Sequence, residues 1–235
     1  DIDRTRRQIL ADLAHEMRTP LAAIEAHLEA VEDGVRELDT ETLGVLHGAT
    51  QRLHRLAEDI GTVSRAQEGQ IDLRATRTSP ATLLASAAAA AEEAYAGRGV
   101  TLVVGASDAP DVVADPERLG QVLGNLLENA LRHTPAGGRV ELAAAASRRG
   151  WVELTVRDNG AGIADEHLAR IFERFYRADP ARPHERGGSG IGLTISRALV
   201  EAHGGRLTAR SAGAGQGATF VIELPVAQPP GRPAR

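Results

Sequence analysis

The sequence predicts a two-part fold, an all-α helical hairpin followed by an α/β sandwich. Between Leu10 and Val63, Leu, Ile and Val recur at spacings of three and four, the period of a helix face. From Thr101 onward, short alternating runs occur, several in pairs around turns, as in antiparallel hairpins. The helical stretches opening at Pro80, Asp115 and Leu193 stand apart from those pairs. Helices and strands therefore separate into layers instead of alternating as in a doubly wound sheet.

The first helix carries Leu10, Leu13, Met17, Leu21, Ile24, Leu28 and Val31 as a seam and stops at Gly34. Asp39 or Thr40 caps a second helix, whose seam is Leu43, Leu46, Leu53, Leu56, Ile60 and Val63. A short connection makes the two antiparallel neighbours. Two helices leave part of each seam uncovered, and a second copy would cover it as a four-helix bundle dimer. Residues 68–79 are polar and read as a linker. Ser79-Pro80 starts the next helix by cap plus N1 proline, running to Gly97. Thr101–Val104 and Val112–Ala114 are short strands, and Asp115-Pro116 opens a helix to His133. Arg139–Ala146 and Trp151–Arg157 form a hairpin. A helix from Leu193 ends at Gly204-Gly205, and Arg206–Ala212 with Ala218–Leu224 makes a last hairpin. The domains expected are 1–67, the linker 68–79, 80–226 and a disordered tail 227–235 containing three Pro.

Composition excludes several functions. All 27 basic residues among Lys and Arg are Arg, so neither a Walker phosphate loop nor the common protein-kinase site has its Lys. A net charge of −5 argues against general nucleic-acid binding. With no Cys there is no disulfide framework or thiolate metal site. No apolar run approaches the roughly 18 residues of a membrane span. The chain begins at Asp1 and reads as a soluble piece of a longer protein, with no membrane contact of its own.

Four constellations carry chemistry. His15 falls opposite the helix-one seam, beside Glu16 and one turn before Thr19 and Pro20. A lone His there is ordinarily a solvated surface group. A Pro inside a continuing helix, however, costs roughly 3 kcal/mol and strips a carbonyl of its donor, a local rule broken beside the imidazole. Glu16 can accept the ring proton while the other nitrogen attacks phosphorus. On the helix before His133, Asn125, Glu128, Asn129, Arg132 and His133 share one face. Their amide and carboxylate oxygens suit Mg²⁺, and Arg132 suits phosphate charge. Asp158, ending a strand, precedes Gly160 and Gly162. It can accept from an exocyclic amine such as that of adenine, while the glycines leave room for a flat ligand. Gly187 to Leu193 is a glycine segment ending at a helix N-terminus, which offers free N–H groups to phosphate. Phe172 and Phe175 anchor the intervening segment, Arg177 follows within reach of a terminal phosphate, and Ala178–Glu185 reads as a lid loop. The remaining His, including His167, His184 and His203, read as surface or packing residues.

In this order the motifs resemble those of the sensor histidine kinases. His15 to Leu21 resembles the H box, Asn125 to Pro135 the N box and Asp158 to Gly162 the G1 box. Phe172 to Arg177 resembles the F box, Gly187 to Leu193 the G2 box, and Gly215 to Phe220 the following glycine motif. The resemblance covers residues 2–225 and departs only in details such as Met17. It implies a dimerisation and phosphotransfer hairpin followed by an ATP-binding domain of Bergerat fold. By that likeness His15 is the phosphoacceptor, Glu16 its general base, and Thr19 the residue serving dephosphorylation of the partner regulator. ATP is implied to be held by Asn125, Asn129, Arg132, His133, Asp158, Gly160, Gly162, Gly188, Gly190, Gly192, Leu193 and Thr219, with Arg132 and Arg177 catalytic. Mg²⁺ is implied on Asn129, with Asn125 and Glu128. The implied partners are a second copy and the receiver domain of a response regulator. The implied setting is the cytoplasmic portion of a membrane-anchored receptor. Chaperone, topoisomerase and mismatch-repair ATPases and anti-sigma serine kinases share such ATP-site motifs but lack a hairpin with His-Glu-x-x-Thr-Pro.

Overall fold

The computed structural model describes residues 2–67, 71–147, 150–173, 176 and 190–227; the side chains of residues 2–16 and of a few later positions lie outside it. Two long helices come first, α1 (Ile2–Glu32) and α2 (Thr40–Gln67). They pack side by side, and α1 continues through Pro20, which is buried. Gly34 ends the first helix in the left-handed region at φ 68°, where a Cβ would be strained. Of the two candidate caps for α2, Asp39 is the one used: its Oδ1 accepts the N–H of Thr42 at 2.8 Å. The Thr42 N–H and hydroxyl hold the Asp39 carboxyl below its ordinary pKa. Much of the seam stays open to solvent in the single chain, with Met17, Leu21, Leu28 and Leu43 all exposed.

The rest of the chain is β1 (Thr76–Thr78), α3 (Pro80–Gly97), β2 (Thr101–Ser107), β3 (Val112–Ala114), α4 (Pro116–His133), β4 (Arg139–Ser147), β5 (Trp151–Asp158), α5 (Asp165–Leu168), α6 (Gly192–Ala202), β6 (Arg206–Arg210) and β7 (Thr219–Pro225). Five strands form a mixed sheet in the order β2-β4-β5-β7-β6. The hairpins read from the sequence are both present, with Ala144 opposite Leu154 and Ala209 opposite Phe220. The β2–β4 pair is parallel, and α4 lies in the crossover between them. One sheet face is apolar at alternate positions, including Val140, Leu142, Val152, Leu154, Val156 and Phe220, all buried. Helices α3, α4 and α6 cover that face, α4 contributing Leu119, Val122, Leu123, Leu126 and Leu127.

Two elements differ from the sequence reading. Thr76–Thr78, inside the segment read as a linker, pairs antiparallel with β3 in a separate two-stranded sheet. A three-residue strand with only Thr78 buried has too little periodicity to be visible. The short α5 is likewise too brief for a helical pattern. The C-terminal half of α2 also packs on α6, where Leu56 joins the sandwich core.

Candidate functional site

Helix α4 carries the first half of the site. Its N-terminus is fixed by Asp115, whose Oδ1 accepts the N–H groups of Glu117 at 3.0 Å and Arg118 at 3.1 Å. Asp115 Oδ2 accepts the Arg74 N–H at 2.9 Å, and its own N–H donates to His203 Nε2 at 3.0 Å. Burial pushes the Asp115 carboxyl up, but the N–H groups of Arg74, Arg118 and Glu117 outweigh it and hold the pKa below its ordinary value. His203 Nδ1 meets the Leu199 carbonyl at 2.7 Å, so this histidine is a buried tie between the end of α6 and the start of α4.

With the apolar row of α4 on the sheet, the opposite side presents Asn125 and Asn129 half-buried and Glu128 and His133 exposed. This is the shared face expected from the spacing. Arg132 Nη2 reaches Glu128 Oε1 at 2.9 Å, one turn apart, so these two side chains are paired with each other. Asn125 is also engaged: its Nδ2 donates to the Gly192 carbonyl at 3.2 Å and to Ser196 Oγ at 3.3 Å.

Asp158 is the last residue of β5 and is only 6% exposed. Its Oδ1 accepts the N–H groups of Gly160 at 2.9 Å and Ala218 at 3.2 Å. Oδ2 makes no hydrogen bond among the described residues and is available to a ligand's donor. Desolvation raises the Asp158 pKa above its ordinary value, only partly opposed by those two N–H groups and by the nearby His133. The same burial, with the Asp158 charge, pushes the Tyr95 phenol up; its hydroxyl donates to the Leu127 carbonyl at 2.8 Å.

The glycines after Asp158 let the backbone turn sharply, and the space a side chain would take is filled by protein backbone. A Cβ on Gly160 would collide with the His133 carbonyl, and one on Gly162 with the carbonyl of Gly213. The loop 211–217 is laced onto this turn: Gly215 N–H donates to the Ala161 carbonyl at 2.6 Å and Gly217 N–H to that of Gly160 at 3.1 Å. Ser211 Oγ lies at the centre, accepting the Ile163 N–H at 3.0 Å and donating to the Gly217 carbonyl at 2.6 Å. Neither Ser211 nor Ser196 stands out in the sequence, because a single serine carries no motif; only the fold supplies their partners. Thr219 follows Ala218 at the start of β7, opposite Arg157, which places it beside Asp158 in the sheet.

Gly190 sits at φ 69°, a conformation open to glycine, whereas Gly192 already has a place in the first turn of α6. Leu193 packs against the core. Phe172 meets Phe220 edge-on at 6.5 Å, and its carbonyl accepts the Thr194 hydroxyl at 3.0 Å. Tyr176 OH lies 2.7 Å from His167 Nδ1, with the Arg170 guanidinium 4.3 Å over the Tyr176 ring. Arg177, Gly188, Phe175, His184 and the loop 178–185 lie outside the described residues. His15 and Glu16 are on α1, with side chains outside the described set; Thr19 is exposed on the same helix.

Together the sandwich and this site define a nucleotide-binding α/β domain preceded by a helical hairpin. Residues 114–228 match the family described as histidine kinase-, DNA gyrase B-, and HSP90-like ATPase, and residues 5–69 match the His kinase A (phospho-acceptor) domain. The signal transduction histidine-protein kinase BaeS of Escherichia coli (strain K12) is 39% identical over 94% of this chain and 47% of its own length. Full-length ShkA, solved in complex with AMPPNP, is 30% identical with a TM-score of 0.70, covering 95% of this chain and 46% of that one. ThkA, solved in complex with the response regulator TrrA, shares the fold at 24% identity and a TM-score of 0.68, covering 95% and 64%. The chain belongs to the sensor histidine kinases and comprises their catalytic core. It spans about half the length of the curated relatives it matches. Among the described residues no helix is long and apolar enough to cross a membrane.

Proposed function

We propose that this chain transfers the γ-phosphoryl group of ATP to a ring nitrogen of His15. The N–P bond forms as the bond to the β,γ-bridging oxygen breaks, ADP leaves, and Glu16 takes the imidazole proton. The phosphoryl group then passes to an Asp of a response-regulator receiver domain, and Thr19 serves dephosphorylation of that regulator. The observation that carries the reading is the buried Asp158 carboxylate. One oxygen is saturated by the N–H groups of Gly160 and Ala218, and the other is left to accept from the adenine amine. Gly160 and Gly162 hold the turn that fixes this carboxylate, with Thr219 beside it.

On α4, Asn129 is the principal residue for Mg²⁺, with Asn125 and Glu128 on the same face. The fit rests on the donor set: half-buried amide oxygens and a carboxylate are the hard donors Mg²⁺ accepts, few in number because phosphates and water complete its shell. The ion would neutralise phosphate charge there. Arg132 and His133 add positive character to the end of α4. Gly188, Gly190, Gly192 and Leu193 lead into α6, whose N-terminal end suits the phosphates, and Arg177 is assigned to the terminal phosphate. The domain limits proposed are 1–67 for the hairpin and 80–226 for the ATP-binding part, extended toward residue 76 by the pairing of β1.

Exposed Met17, Leu21, Leu28 and Leu43 support dimerisation through the hairpin. BaeS and its kin, matched over half their length or less, support placing the chain on the cytoplasmic side of a membrane-anchored receptor. The test is incubation with γ-labelled ATP. The protein should gain acid-labile, base-stable phosphate, and His15→Gln should lose it while still binding nucleotide. Label retained in His15→Gln would move the acceptor elsewhere.

A further inference from the structure

Ser196 stands in the middle of α6 with no exposure at all, between the buried Ile195 and Leu199. A hydroxyl in such a place is costly unless both its donor and acceptor capacity are used. Both are. Oγ donates to the Gly192 carbonyl one turn back at 2.8 Å and accepts from Asn125 Nδ2 at 3.3 Å. Asn125 Nδ2 also donates to the same Gly192 carbonyl at 3.2 Å. Three groups thus close a triangle between α4 and the first turn of α6.

The orientation of the Asn125 amide follows from the chemistry. A backbone carbonyl only accepts, and the Ser196 proton is already spent on it. The NH₂ end must therefore face both partners, which turns Asn125 Oδ1 the other way. Asn125 precedes Asn129 by one turn on the face assigned to the metal, and Gly192 is the last glycine of the segment leading into α6. The N-cap of α6 makes no side-chain cap hydrogen bond, and this tie joins the Thr194–Phe172 contact in fixing its first turn.

We propose that Ser196 is a positioning residue for the ATP site. It locks the Asn125 amide in one orientation, and through it holds the start of α6 against α4, so that the amide oxygen and the N-terminal end of α6 meet the triphosphate together. This rests on the ATP-binding reading above. Ser196 touches no nucleotide itself.

The experiment measures ATP-dependent phosphorylation kinetics, nucleotide affinity by calorimetry and thermal unfolding for the full chain, Ser196→Ala, Asn125→Ala and the double variant. Ser196→Ala should raise the KM for ATP by about three- to tenfold, the scale of one ordinary hydrogen bond, with kcat within about twofold, since phosphoryl transfer itself is untouched. The KM effects of the two single variants should not multiply, because the double variant loses the same tie only once. Ser196→Cys, which keeps a weak donor and acceptor at nearly the same volume, should recover part of the KM. An unchanged KM with a lower melting temperature would reduce Ser196 to a packing residue and overturn the proposal, as would fully multiplicative KM effects. Failure of the unmodified chain to bind ATP would overturn the underlying reading as well, which the calorimetry reads separately.

Discussion

Asp158 accepts the backbone N–H of Ala218 at 3.2 Å, joining residues sixty positions apart at the centre of the proposed ATP site. The same Oδ1 takes the Gly160 N–H, so the carboxylate is held by backbone alone while its second oxygen stays available. Asp158→Asn keeps an acceptor for both N–H groups but replaces the ligand-facing charge. Nucleotide affinity should fall by about ten- to a hundredfold, the scale of a charge-assisted hydrogen bond. The melting temperature should hold or rise, because a buried charge disappears. Calorimetric titration and thermal unfolding on the same samples check both directions.

The raised pKa of Asp158 fixes two opposite pH trends. Burial favours the neutral acid, so this group contributes most to stability below its unfolded pKa of about 4. That contribution is lost as pH rises through the raised folded value. Binding needs the charged form, so affinity for the adenine amine should weaken as pH falls through that same value, at a higher pH than an ordinary Asp would give. Nucleotide titrations across pH, with Asp158→Asn as a pH-flat control, test this; an equal slope in both proteins would remove Asp158 as the cause.

Gly160, after β5, and Gly124, within α4, should respond in opposite senses to an added side chain. Gly160→Ala places a Cβ 2.8 Å from the His133 carbonyl carbon and 3.0 Å from Asp158 Oδ1, so the turn must shift and nucleotide binding should be lost. Gly124→Ala, exposed within α4 with nothing within 4 Å of the added Cβ, should stabilise by about 0.5–1 kcal/mol. Denaturant unfolding together with binding separates the two effects.

His203→Ala removes the acceptor of the Asp115 N–H at the start of α4. The cost should be about 1–3 kcal/mol, because a buried donor is left without a partner. Equilibrium unfolding in denaturant reads it directly. A loss well under half a kcal/mol would mean the tie is made good by solvent.

Leu21 and Leu28, both over 40% exposed in the single chain, lie on the open hairpin seam. Leu28→Glu should convert a dimer to a monomer in light scattering, since each fully buried Leu is worth roughly 1.5–3 kcal/mol and the change acts on both copies. An unchanged mass would place the dimer contact elsewhere.

Much of the fold was legible because its signals are local. The hairpin seam, the Asp115-Pro116 helix start and the paired β4–β5 and β6–β7 runs each declare themselves over one short stretch of chain, and the structure keeps them with shifts of one or two positions. The strand Thr76–Thr78 escaped because its only pattern is a partner 36 residues away. Asn125 was legible as part of a polar face but not as a tie to α6, since the Gly192 carbonyl it meets is invisible in a list of side chains.

The residue types available to the chemistry are readable along the chain: the His15 hairpin, the Asn129 face, Asp158 and the glycines, in an order that marks the family. What each does to its neighbours follows from packing. Gly160 and Gly162 turned out to face backbone carbonyls, and Ser196 and Ser211 to be hubs. The physical reason is that periodicity and capping are properties of nearby residues. A buried hydroxyl or carboxylate, by contrast, acquires its role from whichever distant backbone groups the packing brings within about 3 Å.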